Sequence, residues 1–243
     1  MRSAREVPEE PSSSAAKGAH ALAITDGEVN FLWWFIQGSI MNPETWDRLM
    51  RGGGFCERHA WVHLSAETTF REWYLLGPAI LYRALIEQSL RAFRPQLGSA
   101  ARLARRHEPA GSCFLCEMHL DAASSGVAPQ RRLDQGRDTG ALRAFAAGLE
   151  PLWRQRVCGM CRGNRNRSAN RCRGHLLDDI WAGKRVDIRA QQAMLANLAA
   201  HLDVYEHSFT WGRHGSASDA DRAAFLAAVG WCSGWRPLLA LLR

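Results

Sequence analysis

Apolar residues recur along most of the chain at the three- and four-residue intervals of a helix face, and no stretch alternates for long with period two. In 28–41 (EVNFLWWFIQGSIM) they fall on nearly every face, which predicts a buried helix. Asn42-Pro43 stops it, because the residue before a proline is pushed out of the α region. Pro43 can then open a short helix, PETWDRLM, with Glu44 in its first turn. Arg51-Gly52-Gly53-Gly54 is a break, and a further helix begins at Cys56 and runs through HAWVHLSAETTF. Gly77-Pro78 marks the next boundary, before a segment with Ile80, Leu81, Ala84, Leu85 and Leu90 at helical spacing.

Residues 122–140 are small, polar and basic and read as a loop. The longest helix follows Val186, with Ile188, Met194, Leu195, Leu198 and Leu202 on its apolar face. Ser218-Asp219 offers a cap for a last helix over 221–231. Trp33, Trp34, Trp61, Trp73 and Trp181 lie within apolar helices and read as packing residues. The expected class is all-α. Four regions are expected: a disordered leader (1–19), a first helical Cys/His repeat (20–110), a second with a basic loop (111–183), and C-terminal helices packing on the core (184–243).

Composition narrows the function classes. The chain has 243 residues, 47% of them hydrophobic, which excludes wholesale disorder. No uninterrupted apolar run, Phe31 to Ile36 included, comes near the roughly 20 residues that span a bilayer. The N-terminus lacks the apolar stretch of a secretory signal, so a cytoplasmic address and no membrane partner are expected.

Charge changes the picture more. The formal net charge is +7, and residues 101–175 hold fourteen basic groups against six acidic, while the flanking thirds are close to neutral. An anionic partner, nucleic acid or an acidic protein surface, fits such a local excess. Arg162, Arg165, Arg167, Arg171 and Arg173 are its candidate contacts, setting affinity rather than sequence preference.

Six of the seven cysteines fall into four short motifs, each placing two donors at i and i+3: Cys56/His59, Cys113/Cys116, Cys158/Cys161 and Cys172/His175. A single turn can aim both donors at one ion, and a structural zinc site takes four, so eight donors suit two zinc ions. A redox Cys-x-x-Cys would want a βαβ context that is missing, and an iron–sulfur cluster is less expected because histidine is mixed in. Sequence proximity pairs 158/161 with 172/175 and 113/116 with 56/59. Closing about 10 residues rather than 55 favours this by only on the order of 1.5 kcal/mol.

The chain resembles an uncharacterised bacterial Cys/His-repeat family, a domain of unknown function. Gly54-Phe55-Cys56-Glu57-Arg58-His59-Ala60 is similar to its GFCxxHA motif and Leu76-Gly77-Pro78-Ala79-Ile80-Leu81-Tyr82 to its LGxAILY segment. Gly111-Ser112-Cys113-Phe114-Leu115-Cys116-Glu117 is similar to its CPxCE motif and Cys172-Arg173-Gly174-His175-Leu176 to its second CxxHL. The resemblance implies a duplicated helical protein with zinc sites and no known reaction. It also implies a different pairing, Cys113/Cys116 with Cys172/His175 and Cys158/Cys161 with Cys56/His59. Where the first repeat should carry a CPxC, this chain has His20-Ala21-Leu22-Ala23, so His20 is a possible further ligand.

Two functions follow. One is a zinc-stabilised binding or assembly module. The other is a metalloenzyme of a specialised pathway, in which His20, Cys56 and His59 leave a coordination position open and Glu57 or Glu28 acts as general base. His63 and His119 lie near the motifs and could support or replace a ligand, whereas His107, His201, His207 and His214 have no partner by spacing. No Ser/His/Asp arrangement, phosphate loop or HExxH pattern is present.

Overall fold

The computed structural model describes residues 22–71, 74–93, 100–120, 128–163 and 170–243. Among these residues the chain is all-α, with no strand, and no helix is long and apolar enough to cross a membrane. The helices in order are α1 (Asp26–Phe35), α2 (Pro43–Arg51), α3 (Glu57–Phe70), α4 (Leu76–Ala92), α5 (Ala100–His107) and α6 (Phe114–Glu117). They continue with α7 (Gln130–Arg137), α8 (Gly140–Gly148), α9 (Glu150–Trp153), α10 (Arg173–Trp181), α11 (Ile188–His207), α12 (Asp219–Ser233) and α13 (Arg236–Leu241).

Local chemistry explains most of the boundaries. Thr25 and Glu28 form a reciprocal capping box that starts α1, and Ser218 with Asp221 does the same for α12. The Asn42 side chain accepts from the backbone of Glu44 and Thr45 while Pro43 opens α2. The first helix is shorter than its composition suggested: it ends at Phe35, Gly38 takes φ +131°, and Ser39–Met41 is a 3-10 turn. Its burial is also one-sided. Val29, Leu32 and Phe35 face the core, and Trp34 is 62% exposed because helical pitch carries it off that face. Trp181 is likewise half exposed, Trp61 is fully buried, and Trp73 lies outside the described residues. The stretch expected to be a loop over 122–140 contains helix α7.

The core is one continuous cluster running from Leu22 to Leu238. The long α11 packs on α4 and α12, and α12 is buried along nearly its whole length. Trp153 stacks on Trp235 with ring centres 5.6 Å apart. Their neighbour Trp61 donates its indole N–H to the Gly234 carbonyl at 2.9 Å. Gly230 makes this possible, since a Cβ there would sit 2.2 Å from the Trp235 ring. A buried indole with its N–H satisfied combines large apolar area with a fixed orientation. This places the start of α13 against the start of α3, close to both cysteine-rich regions.

Candidate metal centres

Cys56 and Cys172 occupy equivalent places. Each is the residue before a helix, with extended backbone (φ −65°, ψ 171° and φ −73°, ψ 164°), and each is followed three residues later by a histidine in the first turn. The positive end of a helix favours thiolate over thiol, so both are well placed as anionic ligands.

The first cluster brings Cys56 and His59 of α3 to Cys113 and Cys116 of α6. His59 Nδ1 lies 3.4 Å from Cys56 Sγ, 3.5 Å from Cys113 Sγ and 3.2 Å from Cys116 Sγ, and the Cys56 and Cys116 sulfurs are 3.8 Å apart. The second joins Cys158, Cys161, Cys172 and His175. There His175 Nδ1 lies 3.4, 3.5 and 3.2 Å from Cys158, Cys161 and Cys172, and the Cys161 and Cys172 sulfurs are again 3.8 Å apart. A tetrahedral zinc with ordinary bond lengths has S···S edges of about 3.8 Å and S···N edges of about 3.5 Å. Both clusters match those edges. A disulfide, with sulfurs about 2.05 Å apart, matches neither. The neighbours in space are therefore the neighbours in sequence, and the crossed pairing implied by the family resemblance is not what the structure adopts.

Protonation shows why such clusters want a cation. Cys56 is drawn down to about 3, first by a hydrogen bond from the Cys113 thiol, and Cys113 is pushed up by the same bond. In the second cluster hydrogen bonds from Cys161 and Cys172 draw Cys158 down, while Cys161 rises to about 12 and Cys172 higher still. In each trio one thiolate is held by two thiols that keep their protons. A divalent ion displaces those protons and lets all three sulfurs ionise.

Outside the donors the two clusters part. Glu28 of α1 is 2% exposed, and its Oε1 lies 3.0 Å from His59 Nε2. The imidazole thus donates Nε2–H to a carboxylate and turns Nδ1 to the sulfurs, an arrangement that fixes the ring and strengthens it as a ligand. Glu28 is itself held by the Thr25 backbone N–H (2.8 Å) and the Arg58 guanidinium (2.8 Å to Oε2). Burial works against its charge, but the bonds from Arg58 and His59 bring it down to about 2. Among the described residues no carboxylate meets His175 Nε2, which instead lies 3.5 Å from an Arg236 nitrogen.

Comparison with family models, with curated proteins and with solved structures gives no match.

The remaining sequence candidates are redistributed. The Glu57 carboxylate accepts from the Arg236 backbone N–H at 3.1 Å, and Glu28 is committed to Arg58, His59 and Thr25. Neither is placed as a free base. Arg171 pairs with Asp179 at 2.5 Å, and Arg173 donates to the Gly53 carbonyl at 2.7 Å, so both tie the chain together. Gly53 has φ +65°, and a Cβ there would strike the Arg173 guanidinium. Arg162 is exposed, and His20, Arg165 and Arg167 lie outside the described residues. His63 is buried among Phe35 and Phe55, and neither it nor His119 joins a cluster. Cys232 is buried and also stays apart. The structural importance of Glu28 could be half read beforehand: Thr25-x-x-Glu28 is a capping box in the sequence, but its second contact, with His59, is tertiary.

Proposed function

We propose that this protein is a zinc-stabilised helical scaffold whose two Cys3His centres are closed structural sites. The observation that carries the reading is the donor geometry. Each cluster supplies four protein donors at tetrahedral spacing, whereas a catalytic zinc keeps three and leaves the fourth position for water or substrate. Nitrogen mixed with sulfur supports zinc over an iron–sulfur cluster. Each ion would carry three thiolates and one neutral imidazole, and its free energy of binding would be spent on tertiary structure, joining α3 to α6 in one case and closing the turn before α10 in the other.

A scaffold of this kind serves binding or assembly, and the basic middle third supports an anionic partner as its target. The groups available for that contact are fewer than the sequence suggested, since Arg171 and Arg173 are engaged in the fold. Metal analysis of the purified chain tests the zinc reading: two equivalents of zinc are expected, and iron or a single equivalent would overturn it. Binding to duplex DNA, RNA and a polyglutamate at low salt tests the partner, with affinity falling steeply as salt rises. No binding to any polyanion removes that partner.

A further inference from the structure

A cavity of about 700 Å³ lies between the start of α4, the end of α8, the end of α11 and the start of α12. It includes none of the eight sulfur and imidazole donors. Its walls are aromatic: Tyr74, Phe145, Tyr205 and Phe209 line it, and Phe209 meets Tyr74 and Tyr205 edge-on with ring centres 5.3 and 5.1 Å away. The volume is within the range of sites for small organic molecules, which are mostly apolar with a few placed polar groups.

Two polar groups in this wall stand out. Tyr205 is only 4% exposed overall and lines the cavity. A phenol hydroxyl can donate to a carboxylate, so Tyr205 gives the wall a polar handle beside its apolar ring. Arg222 of α12 also lines the cavity, and its charge is felt at the Tyr205 hydroxyl. Asp219 Oδ1 takes one guanidinium nitrogen at 3.0 Å, leaving the others available. Both Arg222 and Asp219 sit in the first turn of α12, whose N-terminal end adds positive potential. His214 and Gly215 close the rim from the loop that carries the fully exposed Trp211.

We propose that this cavity binds a small aromatic acid, its ring against Tyr74, Phe145 and Phe209 and its carboxylate on Arg222 and the Tyr205 hydroxyl. The walls select a flat apolar body and the polar pair selects an anionic end. Neither group takes part in the metal centres, so the inference stands or falls separately from the zinc reading.

Calorimetric titration of the zinc-loaded full chain with 2-naphthoate, and in parallel with the neutral 2-naphthylmethanol, tests it. Saturable one-site binding of the acid is expected, with the alcohol weaker by about tenfold, the loss of one charge-assisted hydrogen bond. Arg222→Gln, at a half-buried position in the first turn of the helix, should weaken the acid by a similar factor and leave the alcohol unchanged. Ala144→Trp, which fills the cavity from the exposed face of α8, should abolish both with zinc content retained. Absence of saturable binding by the acid, equal affinity for acid and alcohol, or binding unaffected by Arg222→Gln and Ala144→Trp would each overturn the proposal.

Discussion

The two cysteine-rich clusters have the same donors, nearly the same edge lengths and the same helix-start cysteine, yet they are held in place differently. In the first, Cys56 and His59 meet donors from Cys113 and Cys116, and a third element, α1, supplies Glu28 behind the imidazole. In the second, all four donors fall between Cys158 and His175, and the imidazole is backed by Arg236 rather than a carboxylate. Both have a buried carboxylate–arginine pair beside a ligand, Glu28 with Arg58 next to His59 and Asp179 with Arg171 next to Cys172. Among the described residues only Glu28 also reaches the histidine ring of its cluster. The inner geometry of such a site is thus set by the donors, while its dependence on the rest of the fold is set by what stands behind them.

The largest effect expected from this difference is on whole-chain stability. Stripping the metal with a chelator should cost at least about 4 kcal/mol, the linkage value when free zinc is a thousandfold above its dissociation constant. Chemical denaturation with and without chelator would measure it, and equal midpoints would remove metal from the account of the fold. Next in size is the difference in autonomy. A peptide covering 154–178 should bind cobalt tetrahedrally by itself, and lose it in Cys172→Ser. A mixture of peptides 54–62 and 110–120 should not, because joining two chains forfeits about 4 kcal/mol or more of association entropy. Absorption spectra of both samples decide the matter, and equal behaviour would erase the distinction between the sites.

Smaller still is the contribution of Glu28. Glu28→Gln should weaken zinc at the first site by about 10- to 100-fold and leave the second unchanged, as read by chelator competition. An equal loss at both sites would mean that the effect travels through the fold rather than through His59. The smallest effect belongs to Asp179, on the second site's flank. Burial opposes its charge, but Lys184 and Arg171 hold its carboxyl pKa below the ordinary carboxylate range. A group lowered on folding contributes stability above its unfolded value and loses it as pH falls through the folded one. Asp179→Asn should therefore cost about 1 kcal/mol near neutrality, and the cost should fade below about pH 4. A pH-independent difference would assign the effect to packing.

Much of this was legible in the residues. Helical periodicity gave the class, Asn42-Pro43 and Ser218-Asp219 marked helix starts that the structure has, and the i, i+3 spacing singled out all eight donors. These are local facts: a turn of helix or a cap is decided by residues three or four apart, and the sequence alone contains them. Pairing was another matter. Closure entropy grows only with the logarithm of loop length, so spacing tilts the choice between partners without making it; the fold settles it, with the Ala110 backbone N–H of the loop before α6 bonded to the Arg51 carbonyl just ahead of α3. Tertiary contact also turned Glu28 from a candidate base into the group that orients His59, and drew Arg171 and Arg173 out of a basic loop into the fold. It left Trp34 outside and assembled an aromatic cavity from three stretches far apart in the chain, around residues 75, 145 and 205–222. A side chain's type and spacing fix what it can do; which of its possible partners it meets depends on helices that must first pack against one another.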